Sequence, residues 1–427
     1  MPGLAQAQLA ALNRLVAAIA PTNRFYRPRL AAADGLGGFA SLADFSARFP
    51  FTTKDELARD QLDHPPHGTV LTYPDASYTH FHQTSGTSGR PLVWLDNAAG
   101  WQWLLDNWKT IWRSAGARAG DAVFFAFSFG PFLGFWTAFD SAQQLGLRTI
   151  PAGGMGSGER LRFLLAQRPR ILCCTPTYAL RLADVARQEG LDLARSGVEL
   201  VMVAGEPGGS VPAIRARIEQ GWPGARVVDH HGMTEVGPVS HGTPDHPTLL
   251  RVMHDRYFCE VLQPGTNTPV PLGATGELVL TTLGRDACPL LRYRTGDLVR
   301  PIMPDAPPPP SSAPQSVADV PFALDGGILG RADDMVIVRG VNVYPAAVDA
   351  VVRAHGAIRE YQVEIDQRPA LPEIRLRFEP LDAASDPTAD FTARLRTAFP
   401  IRIAVECVPA GSLPVQEFKA RRWKILR

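Results

Sequence analysis

The stretch LVMVAGEPGGSVPAIRARIEQGWPGARVVDHHGMTE, residues 200–235, decides the fold. It opens on an apolar β-like run, Leu200–Ala204, and turns through Gly205-Glu206-Pro207. It continues as a helical stretch, Val211–Gln220, and returns to a β-like run, Val227–Asp229. Two such runs separated by a helix read as parallel strands with a crossover on one face. The alternation extends upstream. Ala122–Phe127 and Ile171–Cys174 are further apolar runs, and Gly158–Gln167 and Tyr178–Gln188 are further helical stretches. Residues 84–240 therefore predict an α/β unit on a parallel sheet.

The first 80 residues read as helices and connecting loops; apolar residues at 4, 9, 12, 15, 16 and 19 give Leu4–Ile19 helical spacing. After the α/β unit, Tyr257–Leu262 and Gly276–Thr282 are short strand-like runs of a β-rich subdomain. Residues 304–316, PDAPPPPSSAPQS, form a Pro/Ser-rich insertion that cannot bury a core. The pattern resumes at Gly330–Val338, and Ile374–Phe378 and Ile403–Val408 read as strands. The division expected is 1–329 and 330–427.

Composition narrows the class. With 43 Lys+Arg against 42 Asp+Glu, the net charge is +1, which gives no electrostatic basis for nucleic acid or an anionic membrane as partner. No segment reaches the ~18 apolar residues of a membrane span. Leu4–Ile19 lacks a charged leader and an uninterrupted apolar core, so no signal peptide is expected, and the chain reads as cytoplasmic. The five cysteines, at 173, 174, 259, 288 and 407, contain no CxxC and suit neither a disulfide framework nor a zinc site. Buried thiols in a reducing compartment are expected. Only four basic residues are lysines: Lys54, Lys109, Lys419 and Lys424. A compact ammonium is not interchangeable with a guanidinium, so each is a candidate for a specific task.

Five segments could carry chemistry. Thr84-Ser85-Gly86-Thr87-Ser88-Gly89-Arg90-Pro91 offers consecutive N–H groups and hydroxyls to an anion, without the Walker spacing; a plain surface loop is the alternative. Asp229-His230-His231-Gly232-Met233-Thr234-Glu235 lies at a strand end, where open α/β sheets bind ligands. Glu235 could hold Mg²⁺, a hard cation. His230 and His231 make a poor chelate, because neighbours on extended backbone point to opposite sides. In Tyr293-Arg294-Thr295-Gly296-Asp297 a carboxylate after a glycine could accept two ribose hydroxyls, or the segment could be an ordinary turn. Gly330-Arg331-Ala332-Asp333-Asp334, continuing to Arg339-Gly340-Val341-Asn342-Val343-Tyr344-Pro345, reads as an interdomain turn plus hairpin. Leu413 to Arg422 contains Lys419 and on charge alone would be a solvated basic tail.

In this order the segments resemble the adenylate-forming acyl/aryl ligases, and above all the phenylacetate-CoA ligase family. TSGTSGRP looks like its phosphate loop, VAGEP (Val203–Pro207) like its GAEP or GGEP segment, and HHGMTE like its YGxTE segment. YRTGDL and GRADDMVIVRGVNVYP match closely. FPFTTKDEL, Phe49–Leu57, matches the family's N-terminal segment, and GSLPVQEFKARR looks like the one with the catalytic lysine.

The resemblance implies a large N-terminal α/β adenylate-forming domain with parallel sheets and a β-rich subdomain, and a small mobile α+β C-terminal domain. It implies ATP, Mg²⁺ and coenzyme A: a carboxylate attacks the α-phosphorus of ATP and expels pyrophosphate, and a thiol then displaces AMP. Lys419 would bring its ammonium to the α-phosphate, and Glu235 would hold Mg²⁺. Thr84, Ser85, Gly86, Thr87, Ser88 and Gly89 would cradle phosphate. Gly205, Glu206, Pro207, Asp229, His230, His231, Gly232, Met233 and Thr234 would line the nucleotide, with Asp297 on the ribose. Arg331 would act beside it, with Asp333 and Asp334 at the hinge. Phe127, Phe129, Phe132, Gly153 and Gly154 would wall the acid, or the phenylalanines would be core.

The chain also departs from the family pattern. Arg90 replaces the usual loop lysine, His231 the usual tyrosine, and Phe418 the glycine before the catalytic lysine. His241–Asp255 and 304–325 lack the cysteines with which some relatives bind zinc, so no zinc is expected. The expected substrate is an aryl or arylacetic acid. A carrier-protein thiol or an amine as acceptor, a catalytically impaired nucleotide-binding relative, and a homodimer stay open.

Overall fold

The structure is a computed structural model. It describes residues 3–84, 91–303, 321–332, 336–338, 341–343, 345–366, 368, 373–382, 384–414 and 422–426. Ser85, Gly86, Thr87, Ser88, Gly89, Arg90, the Pro/Ser insertion, Asp333, Asp334, Phe418 and Lys419 lie outside the described residues.

The strand–helix alternation builds one side of a nine-stranded sheet. Its spatial order is Pro301–Ile302, Ala323–Asp325, His246–Val252, Gly237–Thr243, Arg226–Met233, Leu200–Val203, Ile171–Cys174, Ala122–Phe125 and Arg148–Pro151. The last five are parallel; from Gly237–Thr243 outward the pairing is antiparallel. The observed helices Ser157–Gln167, Pro176–Gln188 and Pro212–Gly221 match the expected ones to within two residues at each end.

Side-chain alternation splits each parallel strand between two cores. Leu172, Cys174, Val201, Val203 and Val227 pack with those three helices. Ile171, Cys173, Leu200, Met202 and Val228 pack on the other face, with Trp108 and Trp112 of helix Ala98–Ser114 and with helix Leu133–Gln144. Burial on both faces is why these strands read as continuous apolar runs.

A third core joins the N-terminal helices to a four-stranded antiparallel sheet, Tyr257–Leu262, Gly276–Thr282, Tyr293–Val299 and Gly330–Arg331. The motif Phe49–Leu57 is stitched into this sheet. Thr52 N–H donates to the Arg292 carbonyl (3.0 Å), Arg294 N–H donates to the Thr52 carbonyl (2.9 Å), and the Thr52 hydroxyl donates to the Leu291 carbonyl (2.8 Å). Thr53 and Glu56 then close a capping box that starts helix Lys54–Asp63 with Lys54 as its first residue.

The C-terminal α+β unit pairs Ile358–Asp366 antiparallel with Glu373–Pro380 and adds Ala404–Cys407 and Trp423–Leu426 as parallel edges. Its core, from Val336 to Ile403, is its own. Val336–Val338 and Val341–Val343 form the expected hairpin. All five cysteines are free, and four are buried. Among the described residues no helix is long and apolar enough to cross a membrane.

Candidate active site

The strand Arg226–Met233 is the pivot of the large sheet, parallel to one neighbour and antiparallel to the other. Its C-terminal end carries the HHGMTE motif beyond the end of the parallel region. Gly232 is required there by close approach, since a Cβ would come within 2.7 Å of the Gly237 carbonyl oxygen.

The two histidines diverge, as their spacing on extended backbone demands. His231 reaches the four-stranded sheet: its Nε2 lies 3.1 Å from Asp297 Oδ2. His230 turns to the opposite side and meets the ring of Trp108 edge-on, with centroids 4.4 Å apart.

Asp297 is not in a turn after the strand but within it, in Tyr293–Val299, following Gly296 at φ +77°. Strand pairing sets it opposite Arg331, whose guanidinium donates to Oδ1 at 3.2 Å. One buried carboxylate thus joins two sheets, with an imidazole on one oxygen and a guanidinium on the other.

Asp229 lies on the same strand as the histidines and is 7% exposed. The Ser210 hydroxyl donates to its Oδ2 at 2.7 Å. Burial outweighs that bond and raises its pKa from 3.8 to about 6. Gly209 sits against it, where a Cβ would come within 2.6 Å of the Asp229 side chain. In the neighbouring turn Gly205 has φ +90°, a conformation that favours glycine. The Glu206 carboxylate accepts from Thr177 N–H (2.7 Å), at the start of helix Pro176–Gln188.

Glu235 is buried, and its carboxylate meets Lys54 Nζ at 3.4 Å. Its carbonyl accepts from Arg285 (2.8 Å), and a longer contact of 3.5 Å runs from Arg285 to the Thr234 carbonyl. Arg285 itself is fully buried and doubly bonded to Asp96, at 2.7 and 2.6 Å. Sequence reasoning singled out Lys54 without its partner Glu235 and missed the Arg285–Asp96 pair. Lysine's rarity was the available signal for Lys54. Nothing local marks Arg285, since arginine is this chain's ordinary cation.

At the base of the Gly/Ser/Thr loop, Thr84 exchanges two bonds with Leu92. Its N–H donates to the Leu92 carbonyl (2.9 Å), and its hydroxyl accepts from Leu92 N–H (3.0 Å). Just before it, His80 and His82 stack on Trp101. Met233 packs against the third core.

Of the expected acid-pocket residues, Phe127 is buried and stacks on Phe135 at 4.0 Å. Phe129 is partly open and touches Phe127 and Trp136. Phe132 is partly open against Phe135. Gly153 and Gly154 are exposed, and a Cβ on Gly153 would stand 3.2 Å from the Phe127 carbonyl oxygen. The structure therefore brings together Asp229, His231, Glu235, Asp297 and Arg331 around one strand end, with the phenylalanine cluster on the far side of the sheet.

Comparison with known proteins accords with this arrangement. The phenylacetate-coenzyme A ligase of Thermus thermophilus is 34% identical over 374 residues, 86% of this chain and 79% of that protein. A crystal structure of 2-hydroxyisobutyryl-CoA ligase with 2-HIB-AMP, in the postadenylation state, superposes with a TM-score of 0.88 at 30% identity, over 98% of this chain and 89% of the other. The same ligase with 2-HIB-AMP and CoA, in the thioesterification state, superposes with a TM-score of 0.71 at 31% identity, over 100% of this chain and 91% of the other. Residues 52–284 match the AMP-binding enzyme family and residues 340–426 the AMP-binding enzyme C-terminal domain. The chain belongs to the AMP-binding enzyme family.

Proposed function

We propose that this protein is an AMP-forming acid–thiol ligase that activates an aryl or arylacetic acid with ATP and passes the acyl group to coenzyme A. The observation that carries this reading is the Asp297 carboxylate, suspended between His231 and Arg331 beside the Glu235 strand end. A carboxylate so oriented suits the paired hydroxyls of a ribose, and His231 offers a flat ring beside the base.

The reaction brings two anions together, so cations and N–H donors must offset their repulsion. A carboxylate oxygen of the acid bonds to the α-phosphorus as the bond to pyrophosphate breaks. The thiolate sulfur then bonds to the acyl carbon as AMP departs. Lys419 serves as the movable ammonium for the first step, and the loop 84–91 serves the phosphates. The Glu235 carboxylate fits Mg²⁺, which usually takes one or two protein carboxylates plus substrate phosphates. The nearby Lys54 ammonium already balances one negative charge there. Mg²⁺ bound at Glu235 would supply neutralisation of phosphate charge.

The reading includes two domains, 1–329 and 330–427, joined near Arg331. The separate C-terminal core supports the division. The two TM-scores against two states of one ligase fit a small domain that moves between half-reactions.

The test is pyrophosphate release with Mg-ATP and a panel of aryl, arylacetic, fatty and amino acids, with and without coenzyme A. Release with one acid class plus a CoA thioester by mass is expected. Release without a thioester would move the acceptor to a carrier protein or an amine. Silence across the panel would overturn the reading.

A further inference from the structure

Arg285 and Asp96 have no solvent-exposed side-chain surface. The arginine Nε and Nη2 groups donate to the two carboxylate oxygens, at 2.7 and 2.6 Å. That geometry leaves Nη1 for other acceptors. It donates to the Glu235 carbonyl at 2.8 Å, with the Thr234 carbonyl at 3.5 Å. The Tyr257 hydroxyl, also buried, lies 2.8 Å from the Val236 carbonyl oxygen. Buried side chains therefore engage all three carbonyls of the turn between strands Arg226–Met233 and Gly237–Thr243.

Asp96 ends strand Val93–Asp96, which pairs with His80–Gln83; these two strands flank the Gly/Ser/Thr loop. One guanidinium thus ties the base of that hairpin to the turn that carries Glu235. Its own segment is anchored in turn. The Tyr78 hydroxyl donates to the Ala287 carbonyl, and the Tyr73 hydroxyl to the Asp286 carboxylate, both at 2.6 Å.

Net stability is a weak reason for such a pair, because apolar residues of similar volume in its place are often neutral or stabilising. What apolar residues cannot supply is a donor to the turn carbonyls. A lysine bonded to Asp96 supplies it poorly, since its three protons leave one point, whereas the guanidinium fork spreads its donors in a plane.

We propose that Arg285, anchored on Asp96, is a positioning residue for Glu235: by holding the turn carbonyls it fixes the Glu235 carboxylate relative to the hairpin of the phosphate loop, and so tunes its affinity for Mg²⁺. The inference rests on the metal role of Glu235 proposed above and adds the part of the fold that sets it. Groups that orient a metal ligand without touching the metal commonly change its affinity by an order of magnitude or more.

The experiment uses the full chain as wild type, Arg285→Met/Asp96→Leu, Arg285→Lys and, as a reference, Glu235→Gln. Three quantities are read: thermal melting, hydrogen exchange of residues 232–238 by mass spectrometry, and the factor by which Mg²⁺ tightens ATP binding in calorimetry. The double variant should melt close to wild type. Its 232–238 segment should exchange about 10-fold faster, and the Mg²⁺ factor should fall about 10-fold. Arg285→Lys, which keeps a charge opposite Asp96, should lie between. Wild-type exchange and a wild-type Mg²⁺ factor in the folded double variant would overturn the proposal. Loss of the folded state in both Arg285 variants would overturn it too, since the pair would then serve stability. If Glu235→Gln keeps the wild-type Mg²⁺ factor, the metal role of Glu235 itself falls, and the proposal with it. Pyrophosphate release is not needed for any of these outcomes, so the ligase function is decided separately.

Discussion

Replacing Asp229 with Asn removes a buried ionisable group while keeping its shape and its bond to Ser210. Asp229 has a pKa of about 6 in the folded chain against an ordinary 3.8, with burial as the leading cause. A tenfold change in proton affinity is worth about 1.4 kcal/mol, so the ionised carboxylate costs the fold about 3 kcal/mol. The sign follows from proton counting. Below pH 4 both states hold the proton, and there is no cost. Between pH 4 and 6 the unfolded chain releases it and the folded chain keeps it, so stability falls as pH rises. Above pH 6 the full cost is present. Urea unfolding from pH 4 to 7.5, followed by tryptophan fluorescence, reads the difference between the two proteins; seven of the eight tryptophans precede residue 223. Relative to wild type, Asp229→Asn should gain about 2 kcal/mol between pH 4 and pH 7. A flat difference would refute the reasoning. A loss with rising pH would mean that the folded state holds the charged carboxylate against a cation.

Three further outcomes can be measured. Lys419→Ala should slow adenylate formation by about 100-fold or more, with thioester formation from supplied acyl adenylate less affected; unchanged adenylation would remove Lys419 from the chemistry. If Glu235 holds Mg²⁺ as proposed, its contact with Lys54 would compete with the ion, so Lys54→Met should lower the Mg²⁺ concentration needed for half-maximal pyrophosphate release by about 2- to 5-fold, and an unchanged requirement would separate Lys54 from that site. Arg285→Met leaves Asp96 buried and unpaired and should destabilise the fold by about 3–5 kcal/mol. The double variant Arg285→Met/Asp96→Leu should recover most of that in thermal melting, and no recovery would place the loss elsewhere.

Four of the five parallel strands of residues 122–233 were legible because burial on both faces of a parallel sheet writes itself into each strand as an unbroken apolar run, whereas helix Leu133–Gln144 and the edge strand Arg148–Pro151, with two of its four residues exposed, were not read. The divergence of His230 and His231 was legible for a similar reason: alternation on extended backbone is local. Asp297 was half legible. Its glycine neighbour pointed to a special conformation, but its bond to His231 spans 66 positions and joins strands of two different sheets. The same holds for Arg285 and Asp96, 189 positions apart, for Lys54 against Glu235, and for the Thr177 N–H donated to Glu206. By itself the sequence determined which segments are strands and helices and which motifs stand at their ends, since periodicity and turn chemistry act over a few residues. Only the tertiary structure decided which charges face each other, that Asp229 is desolvated, and that His230 Nδ1 has no partner among the described residues, because burial and pairing depend on the register between distant segments.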